Sequence, residues 1–484
     1  MPKSRPVPHW RQDDGSRVAS PEQFSAPPAE QPPQRSLSAA LTLFAMSLGY
    51  GVVQLDVTIV NTALDRIGTS LGGGVSELQW VVNAYTIAFA AFILTSGALG
   101  DRIGAKRVFM AGFAIFTLAS LACALAPNAT VLIASRAVQG LGAAVLVPNS
   151  LALLNHAYPD ERARGRAVGT WAAGASLALT AGPLAGGALI ALVGWRSIFL
   201  VNLPIGIAGL WLSWRYASET TRNREREVDL PGQMLAITAL GCLAGTIIEG
   251  GALGLRNAWV IAALAGAVLL AILFIVQEAR SPHPMLPLSL FSHRLFALTS
   301  LVGLLVNIAF YGLIFVFSLY FQRINGLSPL QTGLAFVPMM GIVLPANLIA
   351  ARISERIGAP AAIALGGALS ALGCLLLLPL QPGTPYVETL VQLMIIGAGL
   401  GLLVPPLTAT LLGSVDKSRS GIAAGVLNAT RQTGSVLGVA LFGALVGQHE
   451  TFMRGTHLAL AISVALLLIA GAVIWQGAER RAVR

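Results

Sequence analysis

The sequence predicts an all-α integral membrane protein with fourteen spans. Three observations carry that prediction. Only 11% of the 484 residues are Asp, Glu, Lys or Arg, whereas soluble domains run near a quarter charged. Hydrophobic residues make up 55% of the chain, and the mean hydropathy is +0.73. The apolar residues gather in runs of about 20, the length a helix needs to cross a hydrocarbon core of about 30 Å. Together these exclude a soluble enzyme, a disordered protein and a nucleic-acid module. The net charge of +10 does not reopen the last class, because the charges sit in short gaps between apolar runs.

In chain order the approximate cores are 38–61, 78–98, 108–126, 130–154, 167–192, 197–215, 233–251, 258–277, 296–320, 330–351, 360–380, 387–412, 422–447 and 456–476. Lipid offers no hydrogen bonds to the backbone, so runs without strand alternation must be helices. Residues 1–36 are polar and hold eight prolines, which predicts a disordered tail. With no cleavage pattern before span one, that span reads as an uncleaved anchor. Pro127 and Asn128 mark a tight turn between spans three and four. Cys123, Cys242 and Cys374 lie in apolar runs and read as packing residues, not as disulfide or metal partners.

Lys and Arg set the orientation. Twenty-four of the thirty-one fall on one side of the membrane, counting the N-terminal tail, and five on the other. Both termini are therefore expected in the cytoplasm, in a multi-pass plasma-membrane protein. Arg136 and Arg431 lie inside spans.

The chain also repeats itself. Gly97-Ala-Leu-Gly-Asp-Arg-Ile-Gly-Ala105 after span two aligns with Ala351-Arg-Ile-Ser-Glu-Arg-Ile-Gly-Ala359 after span ten. Gly140-Leu-Gly-Ala-Ala-Val-Leu-Val-Pro148 in span four resembles Gly397-Ala-Gly-Leu-Gly-Leu-Leu-Val-Pro405 in span twelve. The expected organisation is a six-helix bundle at 37–216, a linker with two inserted spans at 217–295, a second bundle at 296–476 and a short tail at 477–484. Parallel repeats of this kind place a substrate site between the halves, near the midplane.

On these motifs the chain resembles the major facilitator superfamily, in its 14-span drug:proton antiporter branch of antibiotic-resistance exporters. The resemblance covers essentially everything after residue 36. It implies two pseudo-symmetric six-helix bundles with two inserted helices. It also assigns the loop Gly97, Asp101, Arg102, Gly104 and Lys106, with its second copy at Glu355 and Arg356, to a gate latch that holds the outward-facing form. Gly97 would allow close helix approach and Gly104 the tight turn. Ala105 stands where the family usually has a basic residue. Gly174, Gly182, Pro183, Gly186 and Gly187 in span five resemble the family's antiporter motif, with Ala178 in place of its middle glycine.

Asp56, in Leu55-Asp-Val-Thr-Ile-Val-Asn61, is a carboxylate inside a span, and such acids are costly and functional by default. The alternative is an interfacial Asp reaching back to water. Arg136, in Arg136-Ala-Val-Gln-Gly140, lies about two turns, roughly 9 Å, from the outer face at 1.5 Å per residue. Asp56 is at a similar depth, so the two are expected to pair. An Arg neighbour favours the charged carboxylate and a dry surrounding the neutral one, so alternating between them makes a proton switch. A static pair holding helices together is the other reading. Glu249, near the outer end of span seven, is the candidate second coupling acid or a boundary charge. Asp65 and Glu77 read as loop charges, and Trp195 as an interfacial aromatic. Asn202 and Gln322 read as architectural.

The substrate wall is sought among polar and aromatic residues within the spans: Asn83, Tyr85, Gln139, Asn149, Trp171, Asn307, Tyr311, Phe336 and Gln432. Arg431 either binds an anionic substrate group or ties helices together. No phosphate-binding loop is present, so a proton gradient is the expected fuel, and no cofactor is expected. The functional expectation is a monomeric, non-enzymatic, proton-coupled antiporter exporting amphipathic drug-like compounds. Its partners would be that compound, protons and the lipid bilayer, with no nucleic acid. An importer or facilitator of a small metabolite is the alternative, since one fold serves both.

Overall fold

A computed structural model describes residues 34–222, 229–254, 256–416, 419–448 and 450–482. The helices of membrane length are α1 (Leu37–Leu71), α2 (Val75–Ile103), α3 (Ala105–Leu125), α4 (Ala129–Ala157), α5 (Glu161–Val193), α6 (Ser197–Tyr216), α7 (Leu230–Leu253) and α8 (Ala258–Arg280). The second set is α9 (Arg294–Ile324), α10 (Pro329–Ile357), α11 (Ala359–Leu376), α12 (Tyr386–Gly413), α13 (Ser420–Leu445) and α14 (Phe452–Ala482). Thirteen are apolar enough to cross a membrane by composition. The fourteenth, α13, is 26 residues long but carries Asn428, Arg431 and Gln432 in its middle. Helix α14 runs on through the predicted tail to Ala482. The predicted disordered tail lies outside the described residues up to position 33.

Side chains at the helix ends explain several starts. Asn128 accepts the Val131 amide at 2.9 Å, Asp160 the Ala163 amide at 2.7 Å, and Ser328 with Gln331 forms a capping box, each satisfying amides that have no partner within the helix. Helix α1 narrows to a 3-10 turn at Val60–Ala63, and α9 ends in a π turn at Tyr320–Ile324.

The same pairs pack in each set of six. Helix α1 lies on α5, α3 on α4 and on α6 in the first; α9 lies on α13, α11 on α12 and on α14 in the second. The sets meet where α2 packs on α13 and α5 on α10, and α7 leans on both α2 and α13. Of the most apolar stretch of each helix, 78% is buried in α2 and only 11% in α8. Helix α2 is thus a central element, while α8 shows nearly all its surface to the lipid expected around an apolar helix.

Candidate functional site

Asp56, on α1, is wholly enclosed, and four other helices build its surroundings. From α4, Arg136 Nη1 bonds its Oδ2, and Gln139 Nε2 donates to Oδ1 at 2.8 Å. From α6, Asn202 Nδ2 donates to Oδ1 at 3.2 Å. From α3, Ser120 accepts from Gln139 at 2.8 Å and from Asn202 at 3.3 Å. From α2, the Val81 carbonyl accepts Arg136 Nε at 3.1 Å, and the Tyr85 ring lies 4.3 Å beneath the guanidinium. Arg136 is 1% exposed and Asp56 0%. A desolvated ion pair stands only when its remaining donors and acceptors are also satisfied, which is what Gln139, Asn202 and Val81 do.

The sequence pairs Asp56 with Arg136, and the structure brings them together. It also places Gln139 and Tyr85, read as substrate wall, inside this cluster. Gln139 follows Arg136 by three residues and so shares its helix face, a signal available in the sequence. Asn202, read as architectural, and Ser120, not singled out, complete the cluster. Asn83 is also enclosed, with neither amide atom hydrogen-bonded.

A cavity of about 710 Å³ opens between the halves at the end where α1 begins and α14 ends, lined among others by Asn149, Trp171, Asp101, Asp229, His283 and Asn428. Trp171 stacks on Tyr50 at 4.3 Å and donates to Ser150 at 3.1 Å. Further in, Arg431 is an electrostatic neighbour of Tyr50 and Tyr311, and no ion pair holds it among the described residues. Among the described residues, Gln432 is buried with its carbonyl oxygen unbonded, and Asn307 bonds only its own helix, at Gly303. Phe336 is buried against Phe321, away from this space. A second, apolar cavity of about 560 Å³ lies between α7, α8, α9 and α13.

The opposite end is shut. Gln79 of α2 donates to the Val439 and Ala440 carbonyls of α13 at 3.0 and 2.7 Å. Arg323 of α9 pairs with Asp65 of α1 at 2.9 Å, and Ser318 bonds the Asn61 carbonyl. Asp65, read as a loop charge, is thus a bond between halves. The span-five glycines pack on α1 of their own half and on α10 of the other. A side chain at Gly182 or Gly186 would collide with Thr58 or Thr62 of α1, and one at Gly187 with the backbone of Pro329 in α10. Pro183 in turn fills the space above Gly333 of α10. Gly174 meets nothing closer than 3.7 Å.

Several expected features are placed differently. A side chain at Gly97 would find only Pro148, at 3.9 Å; the tight approach is at Gly100, against the Asn149 amide. Gly104 has φ +108°, as its turn needs. Two residues at the loop's end bond within their own half: Lys106 N–H donates to Glu219 at 2.9 Å, Ala105 N–H to Thr220 at 3.0 Å, and Lys106 Nζ to the Trp214 carbonyl at 2.9 Å. Glu219 escaped the sequence reading because it lies in a polar connection with no motif. Arg102 is exposed at the same end, and Glu355 and Arg356 are exposed with no bond among the described residues. Glu249 is exposed, since its face of α7 points outward. Trp195, between α5 and α6, is buried against Phe199 with Arg196 over its ring.

Residues 46–439 match the family description Major Facilitator Superfamily. The chain belongs to that superfamily. Among its relatives are the methylenomycin A resistance protein of Bacillus subtilis, 37% identical over 90% of this chain and 93% of the relative. The multidrug resistance protein Stp of Mycobacterium tuberculosis is 37% identical over 87% of this chain and 78% of the relative. The puromycin resistance protein pur8 of Streptomyces alboniger is 34% identical over 88% of each. A solved bacterial homolog of the human lysosomal transporter Spinster, in an inward-facing unoccupied conformation, covers 92% of this chain and 98% of its own at TM-score 0.67 and 15% identity, a likeness of fold. This major facilitator protein is therefore a multi-pass membrane transporter with resistance exporters among its relatives. Its site offers an ionisable pair behind a cavity, and no His, Cys, Asp and Glu group among the described residues could hold a metal.

Proposed function

We propose that this transporter exports amphipathic, drug-like compounds from the cytoplasm in exchange for protons. The observation that carries the reading is the Asp56–Arg136 pair, sealed within the first bundle while the cavity opens at the termini end. The compound enters that cavity from the cytoplasm, where the Lys and Arg distribution puts both termini. Its apolar body rests on Trp171, Tyr50 and Tyr311, and Arg431 receives an anionic or acceptor group where the compound has one. Sites for such molecules are mostly apolar with few polar groups. The bundles then rock, the far end opens, and a proton from outside neutralises Asp56. Arg136 keeps its charge throughout, held by the Val81 carbonyl, Gln139 and the Tyr85 ring when Asp56 lets go. Release of the proton inward restores the pair.

The relatives' resistance names support export over uptake. The test is expression of wild type and Asp56→Asn in a pump-deficient host, scoring resistance to a compound panel and dye efflux with and without a proton uncoupler. Wild type should confer resistance that the uncoupler abolishes, and the variant should confer none. Efflux unaffected by both interventions would refute the proton-coupled reading.

A further inference from the structure

The two inserted helices bury a pair of acids at their termini-side ends. Asp229 caps the start of α7, accepting the Gly232 amide at 2.8 Å, and Glu278 ends α8, accepting the Leu286 amide at 2.8 Å. They are 7% and 3% exposed. They face each other across Gly232, where an added Cβ would lie 2.5 Å from Glu278 Oε1 and 3.1 Å from Asp229 Oδ1. No Lys or Arg among the described residues is ion-paired with either. One oxygen of each, Glu278 Oε1 and Asp229 Oδ2, is buried without a hydrogen-bond donor among the described residues.

Two adjacent anions out of water, each short of a donor, are a costly arrangement, and sharing a proton relieves it. One proton supplies the missing donor and removes one of the two charges, as in any pair of carboxylates that share a site. We propose that Asp229 and Glu278 form a proton-binding site that the inserted helices add to the twelve-helix plan. Only a proton is bound and released; no covalent step is involved. The site stands apart from the Asp56 cluster and builds on the proposed export only in its second experiment.

The site is joined to the loading cavity. Glu278 holds the Leu286 amide, and the adjoining Pro282, His283, Pro284, Met285 and Pro287 line the cavity with Asp229. Gln277 donates to Asp229 Oδ1 at 3.3 Å, and Gln233, beside Gly232, bonds Thr95 of α2. Among the described residues, the charged and titratable groups lining the same cavity are Asp101 and Arg419 across it and His283 on the segment that Glu278 anchors, with Arg280 exposed on its own helix. Loss of the shared proton leaves two repelling carboxylates, one of which anchors the cavity wall. The pair therefore makes the wall responsive to cytoplasmic pH.

The first test needs no transport. Infrared difference spectra of the full-length protein in liposomes, wild type minus Glu278→Gln at neutral pH, should show one protonated-carboxyl band lost in the variant. Asp229→Asn should shift that band, because its partner changes. Asp56 cancels in both differences. A wild type with no band altered by either substitution overturns the site, as does a band that sodium ions erase at constant pH. Should Glu278→Gln fail to fold, the Asp229→Asn spectrum decides alone. The second test measures dye efflux against internal pH, where Glu278→Gln should flatten the alkaline limb seen in wild type. If the wild type proves not to be proton-driven, the export reading falls while the infrared result still stands or falls by itself.

Discussion

At Asp56 one charge is held by three side chains, and removing any of them has a different price in bonds. Arg136→Ala leaves a buried carboxylate without its counter-charge, a loss of about 3–5 kcal/mol for such pairs. It should lower the melting temperature of the purified protein well beyond Gln139→Leu, followed by intrinsic fluorescence. Arg136→Lys keeps the charge but cannot reach both Asp56 and the Val81 carbonyl, so it should fold better than Arg136→Ala yet still export poorly. Equal melting temperatures for Arg136→Ala and wild type would mean the pair contributes nothing. The charged members of this cluster were legible in the sequence because an ion in a span stands out against Leu and Ala. Ser120 and Asn202 were not, because neutral polar residues are common in helices and depth alone does not tell which way they face. The same limit applies to the acids. Glu249, the candidate second acid, is exposed, whereas Asp229 and Glu278, which no motif singles out, are buried.

Helix α5 links the acid's helix to the other bundle. Thr58 and Thr62 lie two and six residues beyond Asp56 on α1, against Gly182 and Gly186, and Pro183 and Gly187 touch α10 on the opposite side. No side chain fits at either contact, so small residues set the distance between the helices. Gly187→Val should push α10 away and prevent the far end from closing. Cysteines placed at that end should then react with an impermeant thiol reagent in the variant and not in wild type. A contrast tests the latch loop: Gly97→Ala has 3.9 Å of room and should export normally, whereas Gly100→Val meets the Asn149 amide and should lose export. Equal export by the two would invalidate the packing argument. The sequence identified the span-five glycines as a group but not which neighbour each one meets, because that depends on the rotation of three helices at once.

Over the whole molecule, fourteen spans and the internal repeat follow from hydropathy and alignment, since both are properties of one dimension. Which end stands open does not, because one sequence must serve every state of the cycle. The shut end rests on few polar bonds: Asp65 with Arg323, Gln79 with two carbonyls, and Ser318 with Asn61. Asp65 and Arg323 are about a quarter exposed, and pairs of that kind contribute about 1 kcal/mol or less. That is enough to shift a two-state population about fivefold. Arg323→Asp should therefore leave the melting temperature nearly unchanged yet raise thiol labelling at the far end. Adding Asp65→Arg should reverse the labelling. If the swap fails to restore it, the pair is not what biases that end shut.

Every bond to Asp56 comes from a residue before position 217. Severing the polypeptide in the connection that follows α6 would leave that pocket chemically whole. Two fragments made in the same cell should then reassemble into a working pump, with the first half already carrying its ion pair before it meets the second.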